Sequence, residues 1–148
     1  MAKVSILVAV YNAEKYLRKC LDSLLEQHLR EIQIICVDDA STDSSRDILD
    51  EYALRDNRVE VIALPENVGQ ARARNRGLQV AKGEYVCFLD SDDWFSHDAL
   101  QQAVETFDEN PRPTACFFRR KWSVGRQRKP IRCLRLNVFR ERRRLRKV

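Results

Sequence analysis

Asp90, Asp92 and Asp93 stand at the end of an apolar run, in the order Tyr85-Val-Cys-Phe-Leu-Asp-Ser-Asp-Asp93. Carboxylates this close repel one another unless a cation sits among them, and Mg2+ or Mn2+ prefers such oxygens while keeping positions open for phosphate. The same residues could instead form an acidic turn before a helix, with Ser96 at its N-cap and Asp98 in its first turn. A second polar cluster, Asp38-Asp-Ala-Ser-Thr-Asp43, also follows an apolar run. Asp39 there can accept the imide N–H of a pyrimidine such as uracil, or the cluster can cap a helix through Ser41, Thr42 or Asp43. Tyr11-Asn12 ends a third run, and Tyr11 offers an aromatic face near a base. In residues 67–77 the alternating Arg72, Arg74 and Arg76 cannot share one helical face. Two are expected in solvent and Arg74 at the ligand edge, with Asn75 beside it. His28 and His97 lie in polar turns and read as exposed surface.

These clusters need a scaffold that brings them to one edge. Residues 3–10, 32–37, 58–64 and 85–89 read as strands, the third alternating as an edge strand does, and residues 114–118 offer a fifth. Between them, residues 13–27 repeat Tyr16, Leu17, Cys20, Leu21, Leu24 and Leu25 at helical spacing, and a helix in the forties and fifties buries Ile48, Leu49, Tyr52 and Ala53. Residues 70–82 form a third helix that packs through Ala71, Leu78 and Ala81, with Gly83 as a left-handed C-terminal cap. Residues 96–109 form a fourth, with Ala99, Leu100, Ala103, Val104 and Phe107 inward. Alternation of this kind predicts an α/β fold, a doubly wound, mostly parallel sheet with helices on both faces. Ligands in such sheets bind outside the carboxyl ends of the strands where strand order reverses, and all three polar clusters follow strands.

A chain of 148 residues, 44% hydrophobic and 33% charged, is long enough for one domain with a real core. No apolar run approaches the roughly 20 residues that cross a bilayer, and the expected location is cytoplasmic. Cys20, Cys36, Cys87, Cys116 and Cys133 lack C-x-x-C spacing, so buried thiols are expected in place of a disulfide framework or a zinc site. Neither a Gly-rich dinucleotide fingerprint nor a P-loop is present, which argues against nicotinamide and P-loop chemistry. Charge is uneven: residues 119–148 hold 14 of the 27 Lys and Arg but, among the acids, only Glu141. Residues 1–118 are therefore expected to form the globular domain, and 119–148 a basic, disordered or irregular tail.

The stretches Val4-Ser-Ile-Leu-Val-Ala-Val-Tyr-Asn-Ala-Glu-Lys-Tyr-Leu17, Val37-Asp-Asp-Ala-Ser-Thr-Asp-Ser-Ser45, Asn67-Val-Gly to Ala73-Arg-Asn-Arg-Gly77 and Asp90-Ser-Asp-Asp93 together resemble the nucleotide-sugar-binding half of the family 2 glycosyltransferases. The resemblance covers residues 3–118. It implies transfer of a sugar from a nucleotide-diphospho-sugar, a UDP-sugar above all, to a glycan or lipid-linked acceptor, with Mg2+ or Mn2+ and with inversion at the anomeric carbon. By position it implies that Ala9, Val10, Tyr11, Asn12 and Glu14 line the nucleotide, that Asp39 meets the base, and that Arg74 and Asn75 support the site. Asp90, Ser91 and Asp92 form the metal motif, with Asp92 the principal ligand and Asp90 and Asp93 its partners. Ala9 replaces a proline common in the family, and Ala40 a glycine.

After Phe118 the resemblance ends, and no general base is identified in the chain. The alternative reading is therefore a truncated, non-catalytic nucleotide-sugar-binding module. Its Arg-rich tail, with Trp122 as a stacking or interfacial group, suits nucleic acid or peripheral contact with an anionic membrane at its inner face, nucleic acid being the less expected partner.

Overall fold

The computed structural model describes residues 2–109, 115–118 and 131–135, the last two stretches by backbone alone. Val4–Val10 (β1) is followed by Glu14–Leu25 (α1), Ile32–Asp38 (β2), Ser45–Arg55 (α2) and Val59–Ala63 (β3). Gln70–Val80 (α3), Tyr85–Asp90 (β4), Ala99–Glu109 (α4), Ala115–Phe118 (β5) and Ile131–Arg135 (β6) complete the order. The strands form one six-stranded sheet in the order β3-β2-β1-β4-β6-β5. The pairs β1–β2, β1–β4 and β2–β3 are parallel, while β6 runs antiparallel to both β4 and β5. The sheet is thus doubly wound and mostly parallel, as the alternation of elements requires.

Strand periodicity divides the core in two. Val4, Ile6, Val8 and Val10 of β1 face one way and meet Leu17, Cys20, Leu21 and Leu24 of α1, Leu49 and Tyr52 of α2, and Leu100 and Phe107 of α4. Leu7 and Ala9 face the other way, with Ile35, Val37 and Val86, and meet Ala73 of α3. Burying each of the large aliphatic side chains contributes about 1.5–3 kcal/mol, so this two-sided apolar sheet is what commits the chain to the fold.

Three local expectations are corrected. Tyr16 is 54% exposed, because it lies about a quarter turn off the stripe centred on Leu17, Leu21 and Leu24. Ala71 is exposed, and α3 instead faces the sheet through Ala73 and Gly77. A Cβ at Gly77 would come within 2.8 Å of Leu7, so the small residue lets the helix lie close. Gly83 is not a left-handed cap: α3 ends at Ala81 in an extended conformation. Gly83 lacks a side chain because β1 passes beside it, where a Cβ would stand 2.5 Å from the Ser5 backbone nitrogen.

Ile131–Arg135, expected in an irregular tail, is a strand placed between β4 and β5. The rest of residues 119–148, Trp122 included, lies outside the described residues. Among the described residues, no helix is long and apolar enough to cross a membrane.

Strand order determines where a ligand belongs. After β1 the chain adds β2 and β3 on one side and then returns to add β4 on the other, so order reverses between β1 and β4. The loops after β1, β2 and β4 open at that reversal.

Candidate functional site

The loops after β1 and β2 are tied together by side chains that accept backbone N–H groups. Asn12 Oδ1 accepts the Thr42 N–H at 2.8 Å, and Ser41 Oγ accepts the Asn12 N–H at 3.1 Å. Ser45 Oγ accepts the Ala13 N–H at 2.8 Å. Glu14 Oε2 accepts the Ser44 N–H while Asp43 Oδ2 accepts the Glu14 N–H, so each helix start borrows a carboxylate from the other loop. Burial acts on Asp43 in the opposite sense, but its bonds from Ser45 and Glu14 leave its carboxyl below the usual range. Asn12 and Ala40 both take positive φ, 49° and 57°, which lets the two loops turn toward each other.

Asp39 joins this pair of loops to α3. It is 3% exposed, and its two oxygens accept the Val68 and Gly69 N–H groups, each at 2.8 Å. Gly69 is the N-cap of α3 at φ 86°, has no side chain with which to cap, and the first turn of α3 carries no acid. Asp39 supplies the missing negative charge from the loop that follows β2. Its carboxylate is thereby built into the loop that starts α3. The helix-capping expectation for this cluster is corrected in its residues: the N-cap of α2 is Ser44, without a side-chain bond of its own, while Asp43 accepts the Ser45 N–H, Asp38 accepts the Ser41 N–H and Asp39 serves α3.

From that fixed start, α3 carries Arg74 to the acids after β4. Arg74 Nη2 lies 2.5 Å from Asp90 Oδ1, and Gln70 Nε2 reaches the same oxygen at 3.2 Å. Arg72 and Arg76 are exposed. The Asp93 N–H donates to the Asp90 carbonyl at 3.0 Å, a tight turn that gathers the side chains. One oxygen from each of Asp90, Asp92 and Asp93 can come within 4.8 Å of the others. Three hard oxygens in that space fit an oxygen-preferring divalent ion. Their field reaches the core beneath: burial first, then Cys36 and these carboxylates, push the Cys20 thiol well above its ordinary range.

The segment after the acids is held by α1 and the turn that follows it. Gln27, fully buried, donates to the Ser23 and Ser96 carbonyls and accepts the Leu100 N–H, while Ser23 Oγ accepts the Phe95 N–H. Ser96 acts here through its carbonyl, which also accepts the Ala99 N–H at 3.0 Å. Lys19 Nζ sits 3.4 Å from the centroid of the Trp94 ring, directly after the acid cluster.

The structure brings Tyr11, Asn12, Glu14, Asp39, Arg74 and the Asp90–Asp93 turn to one edge. Tyr11 is half exposed there, and Asn75 is exposed. The Val10 side chain is in the core at 0% exposure, so only its backbone can face a nucleotide, and its carbonyl is taken by the Asp39 N–H. Ala9 packs on the α3 side. His28 and His97 are exposed as expected, but they stack on each other at 6.2 Å, and His28 Nδ1 lies 2.7 Å from Asp98. Sequence reasoning missed Gln27, Ser23 and Gln70. Gln27 falls three residues after Leu24, on the apolar stripe, and a polar residue at a stripe position was the available signal.

A family model described as "Glycosyl transferase family 2" matches residues 5–147. EpsH of Bacillus subtilis (strain 168), a glycosyltransferase by its name, is 47% identical over 113 residues, which is 76% of this chain and 33% of EpsH. The crystal structure of S. aureus TarS 1-349 in complex with UDP is similar with a TM-score of 0.68 and 37% identity, over 74% of this chain and 33% of that one. The mannosyltransferase PcManGT from Pyrobaculum calidifontis, in complex with GDP-Man and Mn2+, is similar with a TM-score of 0.71 and 28% identity, over 76% of this chain and 34% of that one. The chain thus spans about a third of the length of these relatives.

Proposed function

This chain belongs to glycosyl transferase family 2, and we propose that its reversal-point edge binds the nucleotide and diphosphate of a sugar donor for transfer to a glycan or lipid-linked acceptor. The observation that carries the reading is the double role of α3: Asp39 fixes its start, and Arg74 on it reaches Asp90. In the unliganded chain one helix thereby joins a base-side acid to a diphosphate-side acid, a pre-set span that suits a nucleoside diphosphate.

In this reading Tyr11 lies against the base and Asp39 accepts its imide N–H through lone pairs left beside the Val68 and Gly69 bonds. Ala9, the Val10 backbone, Asn12, Glu14 and Ser91 line the nucleotide, and Arg74 and Asn75 face the diphosphate. Asp92, with Asp90 and Asp93, would hold Mg2+ or Mn2+. Such an ion, when bound, offsets charge on the diphosphate leaving group. Arg74 contributes charge of the same sign from the protein side. A UDP-sugar is preferred as donor, because the UDP-bound TarS structure is 37% identical to this chain and the GDP-Man-bound PcManGT structure 28%.

One observation favours the narrower reading of a donor-binding module. Asp38, Asp39, Asp43 and Glu14 all accept backbone N–H groups, which commits them to loop structure and not to taking a proton from an acceptor hydroxyl. The test is a melting-temperature screen of UDP, GDP and their sugars with and without Mn2+, followed by assays of donor hydrolysis and of transfer. A metal-dependent rise with UDP is expected. No rise with any nucleoside diphosphate would remove the donor site, and transfer to an acceptor would remove the narrower reading.

A further inference from the structure

Arg74 stands where a metal would find its ligand. Its Nη2 bonds Asp90 Oδ1 at 2.5 Å, its guanidinium carbon lies 5.5 Å from the centroid of the Phe88 ring, and Gln70 adds a second donor to the same oxygen. The two side chains of the pair are 29% and 26% exposed, so water screens them only in part. Arg74 Nε is buried and, among the described residues, has no hydrogen-bond partner. The guanidinium fork is therefore half used: one donor nitrogen is committed to Asp90 and a neighbouring one lacks the acceptor that a bidentate anion would bring.

A divalent cation at Asp90 and the Arg74 guanidinium seek the same carboxylate and repel each other at this range, where partial burial strengthens both effects. A diphosphate carries more negative charge than one carboxylate and presents several oxygens to a fork. We infer that Arg74 competes with the divalent cation for Asp90 while the donor is absent, and that the diphosphate draws Arg74 off Asp90, so that metal and donor bind as a coupled pair. The inference rests on reading the acid cluster as the metal site. By linkage, the factor by which the nucleotide tightens the metal is also the factor by which the metal tightens the nucleotide.

The competing account, an ion pair that merely braces Asp90, predicts the opposite sign. Losing Arg74 would then loosen the acid turn and weaken the metal or leave it unchanged. The experiment is a Mn2+ titration followed by the electron paramagnetic resonance of the free ion, on the full chain, with and without UDP. Arg74→Gln and Arg74→Lys are compared with Arg76→Gln, which removes the same charge from an exposed neighbour, and circular dichroism confirms the fold. Without UDP, Arg74→Gln is expected to tighten Mn2+ by roughly 5- to 150-fold, the usual span of coupling between two sites. Arg74→Lys, which keeps the charge but loses the fork, should tighten it less, and Arg76→Gln should stay within about threefold. UDP should then add less to Mn2+ affinity in Arg74→Gln than in the parent. Unchanged or weaker Mn2+ binding in the folded Arg74 variants overturns the competition and leaves the donor site standing. If the parent binds no Mn2+ even with saturating UDP, the metal site itself falls, and the inference with it.

Discussion

Asp39 Oδ2 accepts the Gly69 N–H at 2.8 Å, from a strand end 30 residues earlier in the chain. The bond, with its twin to Val68, makes a proposed base-recognition residue also the anchor of the helix that carries Arg74. Asp39→Ala is therefore expected to cost stability as well as nucleotide affinity. Losing two charge-assisted bonds at a buried site should destabilise by about 2–4 kcal/mol. Asp39→Asn keeps one acceptor oxygen and should cost less. Urea unfolding measures the first effect and UDP titration of the folded variants the second. Parent-like stability in Asp39→Ala would show that the loop holds without its carboxylate.

Asp92 is the exposed member of the acid cluster, and its replacement should separate metal from fold. Asp92→Asn is expected to melt like the parent in the absence of ligands, because an exposed polar substitution of equal size disturbs little. With Mn2+ and UDP at about a hundredfold above its dissociation constant, the parent gains about 2.7 kcal/mol by linkage. The variant should lose most of that gain. A full ligand-induced shift in Asp92→Asn would take Asp92 out of the metal site.

Apolar runs, aliphatic in β1 and β2 and partly aromatic in β4, specified these strands, and the five inward positions of α4 followed from spacing alone, because both signals are local and periodic. Placing the three polar clusters at one edge needed only the rule that strand ends at an order reversal face a common crevice. Ala73 and Gly77 were not legible as the packing face of α3. Small residues carry little hydrophobic signal, and their role depends on how near β1 and β2 lie. The dual duty of Asp39 was hidden for a related reason: its partners are backbone N–H groups on a loop, and every residue type but proline supplies one. Strand β6 was hidden by its arginines, since Ile131-Arg-Cys-Leu-Arg135 lies within a basic tract that reads as tail.

Asp56 and Arg58 form a compact pair beside β3, with N to O distances from 2.8 Å and side chains about a fifth exposed. The Arg58 bond holds the Asp56 carboxyl below its ordinary value of 3.8, against the opposing effect of burial. A carboxyl lowered by folding lends stability that is fully present above its unfolded value and is lost as pH falls through its folded one. Asp56→Asn should thus cost about 1–2 kcal/mol near neutral pH, and the cost should shrink as pH drops below 3.8. Denaturant midpoints of both proteins between neutral pH and about pH 3 measure it. A difference that grows toward acid would reverse the assignment.

Ala40 occupies the left-handed region at φ 57°, in the turn that follows Asp39. For a residue with a Cβ this conformation costs roughly 1–2 kcal/mol, because the Cβ approaches the following carbonyl oxygen. Ala40→Gly removes that strain but gives the unfolded chain more freedom to lose, which costs about 0.4–1 kcal/mol. Relief of strain outweighs the lost freedom, so the variant should be more stable by about 0.5–1 kcal/mol. For a domain of this size that is a rise of about 1–4 °C in melting temperature. The gain should appear without ligand and leave UDP affinity within about twofold, because the Asp39 bonds to α3 do not pass through residue 40. A fall in melting temperature would mean that Ala40 is not held in the left-handed region. The turn joining Asp39 to the Ser41–Ser45 loop would then need another geometry.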